Sequence, residues 1–499
     1  MPYNTSIPGQ VNQEELAFIE RLAAAVPPGG RVLELGSLFG RSSWAWAKSV
    51  DPSVTVYCVD PWKREIWIEK LEQEFGVPFG IDTFHRHTAD CINIVALPGY
   101  SPIDFEDWNL PLDIYFDDSV HTNPVFRQNL EFWAGHIKPG GVLCGHDYGR
   151  DFPDIISEVN ALAERLGVTV NVVGAIWMIE LPADRPCGTE GLVESPDPYL
   201  KSLPLSVNDE DVPPLPSHIG SMMKREELGL LYALAKHHYR GSGEVIDLGP
   251  FLGSSTFMLV EGLEANPISR HRPLRVFSFD RFIYEPEKGY DPFLKSTDLP
   301  TFSFFPHYMA NLGERFRKIF CSPGDLMELR WNQNPVEILF IDAAKTPTLN
   351  NHIIQQFFGA LQEGHSVVVQ QDYFYYGCPW IIAAMEHFAD WIAYVGSAPG
   401  ATAYFQSRAK IPRILIRTPL EIANNPARQV QLLERAAERQ EGSNRKIIVD
   451  LARAYHLSQN GDHGCASAIV QSINAVAQPD EWRQATEWNL DALRQELKL

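Results

Sequence analysis

The sequence is short of cysteine: seven in 499 residues, scattered from Cys58 to Cys465, odd in number and without a CxxC pair. That excludes a disulfide framework and a cysteine zinc site, and reads as reduced cytosolic thiols. There is no run of five or six Lys or Arg, and basic residues are outnumbered 42 to 63, for a formal net charge of −21. Such a chain is a poor electrostatic match for nucleic acid or anionic lipid. No stretch approaches the roughly 18 consecutive apolar residues of a membrane span. The opening Met-Pro-Tyr-Asn-Thr-Ser lacks the basic-then-apolar pattern of a secretory signal. The expectation is a cytoplasmic protein with neither nucleic acid nor membrane as partner. Motifs for Ser/His/Asp hydrolysis and for P-loop phosphate binding are also missing.

What is present is ordinary globular composition, 45% apolar and 21% charged, and a length that suggests about three domains. Within it, one pattern occurs twice. RVLELGSLFGRSS (31–43) matches EVIDLGPFLGSST (244–256), pairing Glu34 with Asp247, Gly36 with Gly249, Gly40 with Gly253 and Ser42 with Ser255. VYCVDPW (56–62) matches VFSFDRF (276–282), LDIYFDDSVHT (112–122) matches VEILFIDAAKT (336–346), and GGVLCGHDY (140–148) matches HSVVVQQDY (365–373). The offset drifts only from 213 to 225. Four pairs in one order point to a tandem duplication.

In each copy short apolar runs alternate with helical segments, such as 12–25, 42–50 and 124–137, which favours a parallel sheet covered on both faces. Two closing strands are expected at 168–181, and again at 391–408. The fold class is therefore α/β: two tandem Rossmann-like, doubly wound domains with an all-α C-terminal appendage. The divisions are 1–181, an acidic Pro-rich linker 182–218, 219–418, and a helical region 419–499. In that last region Leu432, Leu433, Ala436 and Ala437, then Ile447, Ile448, Leu451 and Ala454, recur at helical spacing. Asn444, Asp462 and Asp480 stand where N-caps are wanted, and the region is read as a packing or homo-oligomerisation element.

Ligands of open α/β sheets bind beyond the carboxyl ends of the strands. There each copy has an acid, a GxxxG turn and a second acid after the next strand: Glu34, Gly36, Ser37, Gly40, Ser42 and Asp60, then Asp247, Gly249, Gly253, Ser255 and Asp280. A dinucleotide fold wants GxGxxG and a pyrophosphate on the helix N-terminus, and the acid inside the turn would repel that anion. An acid there suits an ammonium group, and the second acid suits ribose hydroxyls, a pair that describes S-adenosylmethionine better than NAD. After the fourth strand come Asp118 and His121, aligned with Asp342 and Lys345. After the fifth come His146-Asp147, aligned with Gln371-Asp372. Converging carboxylates with an O or N ligand suit a hard divalent cation such as Mg²⁺, and His146 suits a softer one.

ELGSLFGRSS with VDPW, DDSVH and KPGGVLCGHDY resembles the class I S-adenosylmethionine-dependent methyltransferases, on the small-molecule O-methyltransferase branch that includes sugar and catechol types. The resemblance spans about 30–181 and 225–408. It implies methylation of a small-molecule or sugar hydroxyl, as in natural-product or polysaccharide modification, with the first copy the favoured catalyst. Asp118 and His121 match the Asp-x-x-His of metal-dependent sugar enzymes, and Asp342 and Lys345 the Asp-x-x-Lys of the catechol type. Both copies depart in the later pair, where His146 replaces Glu and Gln371-Asp372 replaces Asp-Asn. The implied roles are His121 as general base with Asp118, Lys345 as its counterpart, Asp118, His146, Asp147, Asp342 and Asp372 as metal ligands, Asp325 at the adenine amino group, and Trp62 against the cofactor. Tyr373 to Tyr376 would wall a substrate pocket or fill the core. A cephalosporin-hydroxylase-like metal enzyme on the same fold, and one catalytic copy beside a degenerate scaffold, remain as alternatives.

Overall fold

The computed structural model describes residues 4–64, 66–184, 211–269, 276–285, 290, 292–295, 299, 301–418, 425–440, 443–473 and 480–498. Most of the expected linker, 185–210, lies outside them, as does Cys187. The other six cysteines are free thiols. Among the described residues no helix is long and apolar enough to cross a membrane. The chain forms two compact units: 1–195 with 412–428, and 196–411 with 429–499.

The first unit runs α1 (Gln13–Ala23), β1 (Arg31–Leu35), α2 (Arg41–Ser49), β2 (Thr55–Asp60), α3 (Ile66–Phe75), α4 (Ile81–His87), β3 (Ile94–Pro98), β4 (Leu112–Asp117), α5 (Val125–Ala134), β5 (Ile137–Gly145), α6 (Pro153–Leu166), β6 (Asn171–Val173) and β7 (Ile176–Glu180). Its seven strands are ordered β3-β2-β1-β4-β5-β7-β6. The first five are parallel, and β7 pairs antiparallel with β5 and with β6. The central strands are near-continuous apolar runs because helices cover both sheet faces. Val32, Leu33, Val56, Val59, Tyr115 and Phe116 are buried.

The second unit runs α7 (Arg225–Ala233), β8 (Glu244–Leu248), α8 (Ser254–Ala265), β9 (Val276–Asp280), α9 (Phe305–Leu312), β10 (Ile319–Pro323), β11 (Val336–Ile341), α10 (Pro347–Phe357), β12 (Val367–Gln370), α11 (Pro379–His387), β13 (Ile392–Ala398) and β14 (Thr402–Ser407). The strand order, β10-β9-β8-β11-β12-β14-β13, reproduces that of the first unit position by position. Two mixed seven-stranded sheets flanked by helices are thus present, as Rossmann-like domains require.

After β14, the short helix α12 (Arg413–Arg417) belongs to the first unit: Arg413 meets Asp107 at 3.2 Å and Arg417 meets Asp104 at 3.4 Å. The remaining helices are α13 (Pro426–Glu438), α14 (Ser443–Gln459), α15 (His463–Ser472) and α16 (Arg483–Leu497). Within the second unit, α14 and α16 pack on the loop after β12, where Tyr376 N donates to Asn489 Oδ1 at 2.9 Å and Phe374 meets Trp482 edge-on. Tyr373, Phe374 and Tyr376 are accordingly buried, the core alternative for this cluster. Asp462 caps α15 through Cys465 N at 3.0 Å. Asn444 is not an N-cap: it sits inside α14 and donates to Asp480, whose carboxylate also takes Trp482 N.

The glycine turns set the geometry of both carboxyl edges. Gly36 and Gly249 have φ of +89° and +88°, and a Cβ on Gly36 would lie 2.0 Å from the Asp118 carbonyl oxygen. Gly36→Ala is expected to lower the unfolding free energy by about 2–4 kcal/mol, from left-handed backbone plus overpacking. Gly140→Ala, also at positive φ but with nothing within 4 Å, should cost about 1–2 kcal/mol. Urea denaturation followed by tryptophan fluorescence compares the two.

Candidate active sites at the carboxyl edges

Each turn is held by the acid that ends the neighbouring strand. Asp60 accepts from Leu38 N at 3.0 Å and Trp62 N at 2.7 Å. Asp280 accepts from Phe251 N at 3.3 Å and Phe282 N at 2.7 Å. All four donors are non-glycine residues at φ between +43° and +51°, a strained conformation that persists only where the surroundings enforce it.

Trp62 packs in the core of the first unit: its indole N–H donates to the Leu38 carbonyl at 3.0 Å and its ring lies on Phe84 at 4.8 Å. Asp325 is exposed at the end of β10, where it takes Met327 N at 2.9 Å.

Glu34 and Asp247 lie at the floors of the turns, both fully buried. Burial pushes Glu34 above its ordinary value, against the Ser43 hydroxyl that donates to it. The Ser42 and Ser37 hydroxyls oppose the rise too, although neither Glu34 Oε1 nor the buried Ser37 hydroxyl makes a hydrogen bond of good geometry. Burial pushes Asp247 up to about 7, against the Thr256 and Ser255 hydroxyls, which donate to both of its oxygens.

The edge of the first unit carries five ionisable side chains from three places. Asp118 and His121 follow β4, and His146 and Asp147 follow β5. Glu15, from the first turn of α1, is a member that sequence reasoning missed. Asn12 and Glu15 form a capping box, and the Glu15 carboxylate also accepts from Ala175 N at 2.9 Å. Glu15 Oε2 is 3.2 Å from His146 Nε2, and His146 Nδ1 is 3.2 Å from Asp147 Oδ1 and 3.7 Å from Asp118 Oδ1. Asp147, at φ +61°, turns its other oxygen to His121 Nε2 at 2.8 Å. Carboxylates and imidazoles alternate in the order Glu15, His146, Asp147, His121.

Charge states follow from this order. Burial would lower His146, but Asp147 and Glu15 hold it up to about 10. Burial would raise Glu15 and Asp147; His146 and backbone donors bring Glu15 down to about 2, and the two imidazoles hold Asp147 below its ordinary range. Asp147 raises His121, with burial opposing. Burial pushes Asp118 up to about 7, with His146 opposing. Without a metal, His146 is held as an imidazolium between Glu15 and Asp147. The three groups whose ligand atoms converge, all within 4.8 Å of one another, are Asp118, His121 and Asp147.

The second unit arranges the aligned residues differently. Lys345 Nζ stands 2.7 Å from Asp342 Oδ1 and also bonds Asp372. Burial would lower Lys345, but the two carboxylates outweigh it and hold the lysine above its ordinary value. In this arrangement one ammonium group stands between Asp342 and Asp372, and the pair of carboxylates keeps it protonated. Glu227 repeats Glu15, accepting from its helix-start N–H (Lys224) at 2.8 Å and from Ala401 N at 2.9 Å, with Thr402 Oγ1 at 2.7 Å in place of an imidazole. The signal was in the sequence: Glu14-Glu15-Leu16 recurs as Glu226-Glu227-Leu228, and Gly174-Ala175 as Gly400-Ala401.

With this geometry in view, the comparisons divide the chain. Residues 33–148 match the family model described as a methyltransferase domain. No curated protein matches the chain. Among solved structures, it is similar to a methyltransferase from Geobacter sulfurreducens (19% identity, 34% of this chain and 80% of that one, TM-score 0.27). It is similar to an O-methyltransferase from Bacillus cereus in complex with SAH (16%, 35% and 84%, TM-score 0.25). It is also similar to the O-methyltransferase TomG from Streptomyces achromogenes, involved in tomaymycin synthesis (18%, 35% and 82%, TM-score 0.25).

The His146 pairing makes a pH prediction for chelator-treated protein. His146 has a folded value above its unfolded one, so its contribution to stability is full below about pH 6.5 and is lost as pH rises toward about 10. Glu15 behaves oppositely, contributing above about pH 4.5 and losing that as pH falls toward 2. The difference in thermal midpoint between the wild type and His146→Gln is expected to shrink from pH 6.5 to 10, as scanning calorimetry would record. A constant difference would contradict the pairing.

Proposed function

We propose that the protein is an S-adenosylmethionine-dependent methyltransferase that methylates a hydroxyl of a small molecule, such as a sugar, and that the first unit is the catalyst. The observation that carries this reading is the turn at 34–42. Its buried Glu34 oxygen and Ser37 hydroxyl make no hydrogen bond of good geometry, although the Ser42 and Ser37 hydroxyls help hold the acid down, and they lie inside the segment that matches a methyltransferase domain. A buried unpaired acceptor costs about 1–3 kcal/mol, and the cofactor's ammonium group would satisfy it. Asp60, at the end of β2, is the residue proposed to meet its ribose.

The chemistry asked of the protein is removal of one proton from an acceptor hydroxyl as its oxygen attacks the sulfonium methyl. Asp147 lies 2.8 Å from Nε2 of His121, and on this reading Nδ1 would be the nitrogen that receives the proton. Because Asp147 raises His121, the base becomes competent only at pH above the ordinary histidine value. On this reading Asp118 would hold the hydroxyl.

Asp118, His121 and Asp147 are also the residues that would hold a divalent cation, and their donor set fits one. Such an ion, when bound, would lower the pKa of the hydroxyl. Chelation divides the two cases. A rate unchanged by EDTA leaves His121 as the base, and a loss restored by Mg²⁺ or Mn²⁺ makes it a ligand.

Incubation with S-adenosylmethionine and a library of hydroxylated acceptors should give a product about 14 mass units heavier. His121→Ala and Asp118→Ala should each cost about 10²–10⁴-fold in kcat/KM. No product from any acceptor, with no affinity for the cofactor, would overturn the reading. The C-terminal helices are proposed to serve packing or homo-oligomerisation, which sedimentation of a chain truncated after residue 425 would test.

A further inference from the structure

We propose that each chain takes one S-adenosylmethionine, in the first unit, and that the second unit keeps the shape of the site but takes none. This rests on the methyltransferase reading above and goes beyond it by assigning the cofactor to one of two like-folded sites.

The two turns can be compared atom by atom. In the first, one oxygen of the fully buried floor carboxylate and the Ser37 hydroxyl make no hydrogen bond of good geometry, although the Ser42 and Ser37 hydroxyls help hold the acid down. In the second, Ser255 stands 3.2 and 3.1 Å from the two oxygens of Asp247, and Thr256 donates to one of them. Thr256 is itself tied down, because Tyr308 Oη lies 3.2 Å from its hydroxyl and 2.9 Å from Ser278. At the corresponding places the first unit has Phe84 and Cys58, which cannot extend such a network. Phe84 packs on Trp62 as Tyr308 packs on Phe282, each at 4.8 Å. The second unit thus satisfies its floor acid from within, and an ammonium group entering there would have to displace a hydroxyl donor.

The turn residue differs in the same sense. Ser37 is replaced by Pro250, which has neither a side-chain hydroxyl nor a backbone N–H to offer a ligand. At the outer rim, where the first unit gathers Asp118, His121 and Asp147, Lys345 bridges Asp342 and Asp372. A positive charge already lies between the carboxylates that would otherwise draw in a sulfonium or a cation. At both the floor and the rim, the second unit carries its own partners for the groups that the first unit leaves open.

The test uses the full chain and S-adenosylhomocysteine as probe. Isothermal titration should give a stoichiometry of one, and Glu34→Gln should weaken that site at least 30-fold with no second site emerging. A stoichiometry of two, or one site persisting at wild-type affinity in Glu34→Gln, would overturn the proposal while leaving the methyltransferase reading intact. No binding to folded wild-type protein would overturn both. Should Glu34→Gln lose its native circular dichroism, ultraviolet cross-linking of radiolabelled S-adenosylmethionine to wild type, followed by peptide mapping, gives the same answer. Label confined to peptides from 33–148 supports the assignment, and label in peptides from 244–282 overturns it.

Discussion

Both carboxyl edges depend on one carboxylate that holds two backbone loops. Asp60 takes the N–H groups of Leu38 and Trp62, and Asp280 those of Phe251 and Phe282. Those four donors sit in left-handed backbone, which branched or bulky residues adopt only at a cost. The charge-assisted bonds stabilise that conformation. By holding it they let Gly36 and Gly249 pass against the carbonyls of Asp118 and Asp342. The glycine turn, the second-strand acid and the loop after the fourth strand are therefore one mechanical unit in each half of the chain.

On that shared frame the two units place different charges. The first alternates acids and imidazoles from α1 through the loops after β5 and β4, ending on a histidine that faces Asp147. The second uses one lysine to join the two aspartates. The difference arises from two aligned positions: His121 opposite Lys345, and His146 opposite Gln371. A long flexible ammonium reaches both carboxylates at once. Two rigid imidazoles share Asp147, one of them also meeting Glu15, and leave Asp118, His121 and Asp147 converging.

Much of the frame is legible in the order of the residues alone. The acid, GxxxG and second acid recur at nearly constant offset, and alternation of apolar runs with helical segments locates the strands, including the paired closing strands. Glu15 escapes such reasoning because its partners are far along the chain, Ala175 being 160 residues away. Its local role as a capping-box glutamate also accounts for it without any site. Trp62 misleads because an aromatic next to a ligand acid reads the same whether its ring points outward or, as here, into the core against Phe84.

The sequence by itself determined the local devices: strand, tight turn, acid and helix start, twice over. Those depend on residues a few positions apart and on the period of the side chains. Only the tertiary structure decided which groups are charged, which are paired and which are left open. Lys345 is paired with Asp342 and Asp372, His146 lies between Glu15 and Asp147, and Glu34 and Asp247 are held by different sets of hydroxyls. Each of these outcomes is set by burial and by distances of about 3 Å between groups remote in sequence, and the Coulomb energy of such pairs varies with both separation and surroundings.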